Sequence, residues 1–118
     1  EDVIHYFDGF AEKAAENGIR KWILDPGFGF AKTTSQNYQM MRELRKFRKP
    51  YVPGTIPQIL VGVSRKSMIY KRFNISPDEA LPATQVLHLA ALQNGADILR
   101  VHDVAEAVRT VELYKVLR

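Results

Sequence analysis

Three stretches of the chain end an apolar run in groups able to do chemistry. The first is residues 22–32, WILDPGFGFAK, where Asp25 follows three apolar residues and Pro26-Gly27 stop the strand and turn the chain. The second is QILVGV at residues 58–63, ending in Ser64-Arg65-Lys66-Ser67. The third is residues 96–101, which end in Arg100-Val101-His102-Asp103. Arg100 and His102 are two apart, so a continuing strand puts them on one face. If the three tips converge, they gather a carboxylate, two cations and a histidine. An ionised carboxylate only accepts hydrogen bonds, and suits a ligand with adjacent N–H donors, such as the amidine-like edge of a heterocycle. Arg100 can stack flat on an aromatic ring. Lys66 can bond a ring carbonyl or nitrogen, and Arg100 with His102 can hold a leaving phosphate. Ser67 stands where a helix begins, and the open backbone N–H groups there favour an anion.

Each of these residues also has a plainer reading. Asp-Pro is a common turn pairing. A lone His102 suits a structural hydrogen bond, and Arg65 alternates away from Ser64 and Lys66, toward a salt bridge beneath the rim. Asp103 stands where it can cap the last helix. Phe28 and Phe30 fit either core plugs or pocket walls. His5 and His88 lie within helices with no partner suggested by spacing, and read as structural. The case for a site is that an apolar strand tipped with charge occurs three times.

The elements between the tips must position them. Residues 1–17 have helical spacing at Ile4, Phe7, Ala11 and Ala14, and Asn17-Gly18 stops that helix. Residues 21–24 form a short strand. Thr33, Thr34 and Ser35 offer N-caps to a second helix with the stripe Tyr38, Met41, Leu44 and Phe47. The basic run 42–49 falls in its last turns, where cations suit the helix dipole and read as a solvated end. Pro50, Pro53, Gly54 and Pro57 mark a loop. Residues 58–63 read as the unalternating strand of a parallel sheet, followed by a short helix through Phe73 and a turn-rich stretch over 74–82. Ser76-Pro77-Asp78-Glu79 there has the form of a cap with proline at the first helical position. Residues 83–94 form a helix apolar nearly all round, which predicts burial on more than one face. Gly95 ends it, residues 96–101 form the third strand, and the last helix runs over 104–116.

The order α-β-α-β-α-β-α predicts a parallel α/β sheet with right-handed crossovers. Tip-to-tip spacing is about 35–40 residues, somewhat longer than the ~30 of a (β/α)₈ unit. Three strands are too few to close a barrel; they fit an open three-layer piece or three-eighths of a barrel. In either, ligands bind at the C-terminal ends of the strands.

At 118 residues the chain is at most one domain. It opens on Glu1-Asp2, within a helical pattern, and reads as the C-terminal segment of a longer domain. Residues are 46% hydrophobic, enough for a core, and no apolar run approaches the ~20 residues of a membrane span. Cysteine is absent, which excludes disulfides and thiolate sites and fits a reducing cytosol. The net charge of +4 is dispersed apart from residues 42–49 and Lys/Arg at 65, 66, 71 and 72. With cations at strand ends and no nucleic-acid motif in view, it points to a small anionic ligand.

Taken together, Asp25-Pro-Gly-Phe-Gly-Phe-Ala-Lys32, Gly62-Val-Ser-Arg-Lys-Ser67 and Arg100-Val-His-Asp-Val104 resemble, in order and spacing, the three C-terminal signatures of dihydropteroate synthase. The connection over 49–57 looks longer than that family's. The resemblance implies a folate-pathway transferase with a (β/α)₈ (TIM) barrel, the cytoplasmic target of sulfonamide drugs. It condenses 6-hydroxymethyl-7,8-dihydropterin pyrophosphate with p-aminobenzoate to give dihydropteroate and pyrophosphate. By that resemblance Asp25, Lys66 and Arg100 bind the pterin. Arg100 and His102 hold the pyrophosphate, Ser67 the aminobenzoate carboxylate, and Phe30 lines the aminobenzoate pocket. Mg²⁺ is implied as cofactor, with ligands outside this chain, as is a homodimer formed through C-terminal helices. The family's N-terminal Met-Asn-Val-Thr-Pro-Asp-Ser-Phe loop and its middle-strand Asp and Asn are absent, so the resemblance implies half a site and no activity for these residues alone. Two other readings compete. One is a different pterin-binding barrel such as a methyltetrahydrofolate-dependent methyltransferase, against which Ser64-Arg65-Lys66 and Arg100–Asp103 speak. The other is a non-catalytic dimerisation unit.

Overall fold

The computed structural model describes residues 2–19, 21–28, 32–63 and 66–118. Helix α1 spans Asp2–Glu16, strand β1 Ile23–Leu24, helix α2 Thr34–Arg42 and strand β2 Gln58–Val61. Helix α3 spans Ser67–Phe73, α4 Leu81–Gln93, strand β3 Ile98–Leu99 and helix α5 Val104–Leu117. The strands form one parallel sheet in the order β1-β2-β3. Register pairs Ile23 with Gln58 and Leu24 with Ile59 on one side of β2. On its other side Leu60 pairs with Ile98 and Val61 with Leu99. The strands are shorter than the apolar runs suggest, because the regular ladder stops where each chain turns into its tip. Single bonds carry the pairing beyond β3 at both ends: Asp97 donates N–H to the Ile59 carbonyl and Arg100 to that of Val61, both at 2.9 Å.

Helix ends follow their local chemistry. Gly18 takes φ +76° after α1, and Ile19 N–H closes back on the Ala14 carbonyl at 2.8 Å, the 6→1 closure that a left-handed residue allows. Asn74 does the same after α3 at φ +53°, consistent with the tolerance of asparagine for that region. Thr33 caps α2 in a full capping box with Gln36. Ser76 and Glu79 form a second box over a 3₁₀ turn at Pro77–Glu79. Asp103 occupies the N-cap position of α5 but makes no side-chain capping bond, which corrects the expectation for that residue.

The core lies against one face of β2: Ile59, Val61 and Val63, two apart along the chain, are fully buried, with Leu24, Phe28, Leu44, Met68 and Ile69 around them. The stripe expected of the second helix holds, with Met41, Leu44 and Phe47 buried, although α2 ends at Arg42 and Leu44–Phe47 continue as a 3₁₀ turn. An aromatic cluster docks α1, with Phe7 stacked on Trp22 and edge-on to Phe47 and Tyr51. Burial among these rings, with Asp8 adding to it, pushes the Tyr51 phenol up to about 12.

Two expectations change. Helix α4 buries Thr84, His88, Ala91 and Leu92, a single i, i+4, i+7, i+8 face. Val86 on its other side is 66% exposed. The basic run is also more than a solvated helix end. Arg45 donates to the Gln93 carbonyl, Arg48 to the Gly95 carbonyl and to Asp97, and Lys49 to Asp8. The two arginines satisfy carbonyls left open at the C-terminus of α4 and tie them to the sheet.

Asp97 is the junction of that tie. Its Oδ1 meets Arg48 at 2.7 Å and its Oδ2 accepts the N–H of buried Ile59 at 2.9 Å. The Asp97→Ala variant leaves that buried donor unpaired, and should lower the unfolding free energy by about 1–3 kcal/mol. Arg48→Ala removes the partly exposed ion pair and the exposed bond to the Gly95 carbonyl, leaves the Ile59 N–H paired, and should cost about 1 kcal/mol or less. Urea denaturation of the two variants checks this order; equal losses would place the weight on the ion pair instead.

Candidate functional site

The parallel register fixes where the three tips emerge. Asp25 leaves β1 one residue beyond the Leu24–Ile59 pair, and Arg100 leaves β3 one residue beyond the Leu99–Val61 pair. Asp25 is exposed, between buried Leu24 and buried Pro26. Its Oδ1 accepts the Gly27 N–H at 2.9 Å, the local turn that aspartate favours. Gly27 takes φ +78°, a left-handed conformation that glycine adopts without steric cost. The chain then drives Phe28, 1% exposed, into the core. Phe28 is thus the core plug of the two alternatives open to it.

Lys66 reaches across from the N-cap of α3. Its Nζ donates to the Phe28 carbonyl at 2.7 Å, spanning from the β2 tip to the β1 tip. Burial holds its ammonium below the usual lysine range. The charge of Arg100 pushes in the same direction, Asp25 opposes, and Lys32 adds a smaller push downward. Asp25 and Arg100 therefore both lie within electrostatic reach of Lys66. Lys32 belongs with them: its Nζ donates to the Gly27 carbonyl at 3.0 Å. Sequence reasoning did not single out Lys32 as a site residue; the signal was its place at the end of the DPGFGFAK stretch. His102 lies two residues beyond Arg100 and is exposed. It follows the end of β3, so strand alternation does not set its direction, and it is not among the charges that act on Lys66. Ser67 opens α3. The side chain of Ser67 and all of Phe30, Ser64 and Arg65 lie outside the described residues.

This arrangement can hold a planar, polar ring with an anionic substituent. One acceptor carboxylate faces a cluster of cations at the sheet's C-terminal edge. Among the described residues no group of three or more His, Cys, Asp or Glu side chains is placed to hold a metal ion. His88 stands apart within α4, 2% exposed, with neither ring nitrogen hydrogen-bonded among the described residues. Burial lowers its pKa, against the charge of Asp103, in keeping with a structural reading. His5 is exposed on α1. No described helix is long and apolar enough to cross a membrane.

The charge coupling has a measurable consequence. Arg100→Ala should raise the Lys66 pKa, since it removes a like charge, and Asp25→Asn should lower it, since it removes an opposite one. An NMR titration of the lysine side chain reads both shifts; a Lys66 that moves in neither variant would separate the three residues.

The chain is similar to known proteins along nearly its whole length. Residues 1–102 match the family described as pterin binding enzyme. The dihydropteroate synthase of Escherichia coli K12 is 39% identical over 114 residues, covering 95% of this chain and 39% of that protein. The bifunctional dihydropteroate synthase/dihydropteroate reductase of Helicobacter pylori is 42% identical over 120 residues, covering 99% of this chain and 30% of its own length. Among solved structures, Yersinia pestis dihydropteroate synthase superposes with a TM-score of 0.90 at 34% identity, over 99% of this chain and 54% of that one. The Thermus thermophilus enzyme, solved in complex with 4-aminobenzoate, gives 0.85 at 30% identity, over 99% of this chain and 44% of that one. The chain thus spans well under two thirds of the relatives it matches, and its three parallel strands with their helices correspond to part of their TIM barrel. On the family match and the likeness over nearly its whole length, the chain belongs to the pterin-binding enzymes.

Proposed function

We propose that this chain forms the C-terminal half-site of a dihydropteroate synthase. The enzyme would join 6-hydroxymethyl-7,8-dihydropterin pyrophosphate to p-aminobenzoate. The observation that carries this reading is the convergence of Asp25, Lys66 and Arg100 at the tips of three parallel strands, in a chain whose relatives bear that name. A relative solved with 6HMPPP and with 4-aminobenzoate supports the same substrate classes.

In this reading Asp25 accepts the N–H groups of the pterin's amidine-like edge, and Lys66 donates to a ring acceptor. Arg100 and His102 hold the diphosphate. Ser67 holds the aminobenzoate carboxylate, and Phe30 walls its ring. The aniline nitrogen attacks the pterin methylene carbon, the carbon–oxygen bond to diphosphate breaks with its electron pair leaving on oxygen, and the nitrogen gives up a proton. The chain positions the partners and offsets the leaving group's charge; no covalent enzyme intermediate is required. The magnesium implied by the family has no fitting ligand set among the described residues, and we assign its ligands to protein outside this chain. The acceptor groups that complete the pterin site belong there too, so the purified chain alone should form no dihydropteroate.

Calorimetry tests the half-site. The folded chain should bind the pterin pyrophosphate weakly, and Asp25→Ala and Lys66→Ala should each weaken that binding about 10-fold or more, as the loss of a charge-assisted hydrogen bond predicts. A cooperatively folded chain that binds nothing, or binds regardless of both substitutions, sinks the assignment. So does dihydropteroate formed by the isolated chain, as far as its half-site character is concerned.

The same reading includes a cytoplasmic location, a sulfonamide-target enzyme and a homodimer. Support for the dimer comes from an apolar groove of about 250 Å³ between α2, α3 and α4, lined by Tyr38, Ile69, Ala83 and Leu87. Phe73 and Val86, at 60% and 66% exposure, stand on its rim. A second copy covering this face would remove both from water. Sedimentation equilibrium should find a dimer that Val86→Glu converts to monomer. A wild-type monomer, or a dimer indifferent to Val86→Glu, removes this face from the proposal.

A further inference from the structure

Gly62 follows β2 directly and is buried. It is not among the positive-φ glycines of the described residues, which are Gly18, Gly27, Gly54 and Gly95. Backbone conformation therefore does not ask for glycine here. Space does: a Cβ built on Gly62 would lie 2.8 Å from Nη2 of Arg100, 3.0 Å from its Nε and 3.2 Å from its Cζ. Those distances put the missing methyl against the Nε–Nη2 edge of the guanidinium. The Arg100 backbone is already pinned on the same stretch, its N–H donating to the Val61 carbonyl at 2.9 Å. Backbone and side chain of Arg100 thus both rest on Val61-Gly62.

We propose that Gly62 is a positioning residue for Arg100: its bare Cα is the seat that holds the guanidinium edge flush with the sheet, level with Lys66 and Asp25. The obstructing atoms are the far end of a flexible side chain and not backbone, so an alanine here is relieved by moving the guanidinium and leaves the strand where it is. An ordinary contact needs ~3.5 Å, so the guanidinium withdraws by roughly half an ångström or swings away. The substitution then separates two properties that usually fall together, keeping the fold and losing the placement. The functional half of this inference rests on the pterin-diphosphate reading above; the structural half does not.

The test is a Gly62→Ala and Arg100→Ala cycle in the full chain, read three ways. The Arg100 Nε–H NMR signal reports the guanidinium's surroundings without any ligand, and Gly62→Ala should shift it. The melting temperature should stay near that of the parent, with and without Arg100. Binding of pterin pyrophosphate, followed by calorimetry, should fall about 10-fold or more, as a misplaced clamp predicts. Gly62→Ala added to Arg100→Ala should cost nothing further, because the two act through one group. An unmoved Nε–H signal overturns the proposal. So does a loss of stability that persists when Arg100 is absent, which would make Gly62 a packing residue. A further loss of binding in the Arg100→Ala background would do the same, because Gly62 would then meet the ligand itself. A shifted signal in a chain whose parent binds no pterin pyrophosphate leaves the seat standing and removes the substrate reading instead.

Discussion

Everything at the candidate site is measured from the backbone of β2. This strand is paired on both sides, and its residues Ile59 and Val61, with Val63 just beyond, are fully buried. Its carbonyls take the N–H groups of Asp97 and Arg100, and its register with β1 sets Asp25 just past Ile59. A parallel sheet carries no information of its own about which side chains meet at its edge; register supplies it. A slip of one residue on either side would reverse the facing of the slipped strand and displace its tip. What prevents the slip is largely apolar: Ile59 and Val61 share one face and are buried in a core with residues of α2, α3 and Phe28, and a slip of one residue would turn that face outward.

The polar reinforcement of that register comes from an unexpected quarter. Arg45 and Arg48, on the turn that continues α2, hold the carbonyls of Gln93 and Gly95 and the carboxylate of Asp97. One cluster of cations therefore closes the end of α4 and, through Asp97, the N–H of Ile59. The end of the sheet opposite the site is fixed by these bonds, and the site end is left to the three tips. Such a division suits a ligand-binding edge, where groups must face solvent and cannot be consumed in holding the fold together.

Much of this arrangement could be read from the sequence, for a definite reason. Asp25 and Arg100 are charges that directly follow short apolar runs, and alternating helices force those runs into a parallel sheet, so convergence followed from topology alone. Helix stops at Gly18 and Gly95, and an N-cap among Thr33, Thr34 and Ser35, were legible because they are local, decided within six residues. The partners of Arg45 and Arg48 were not, since they lie 47 to 49 positions away in the chain. Lys32 and Gly62 were missed as site residues for a related reason. Lys32 is one of many lysines until the loop folds back on the Gly27 carbonyl. Gly62 is one glycine at a strand end until Arg100 lies against it. Asp103 shows the converse error: its position at a helix start was legible, but the capping bond was not made.

The charge balance at the tips is itself a functional statement. Lys66, half-buried, has Arg100 and Lys32 within electrostatic reach and one carboxylate, Asp25, to offset them. Cations grouped in this way repel one another, and the fold bears that cost at all times. Part of it is met by backbone carbonyls, since both lysines donate to the β1 tip. Such bonds orient the ammonium groups without neutralising them. A ligand bringing two or more negative charges to this edge would supply what the chain lacks. It would bind the folded state alone and so stabilise it by mass action. In the proposed reading, a diphosphate group is the kind of partner that would offset this repulsion.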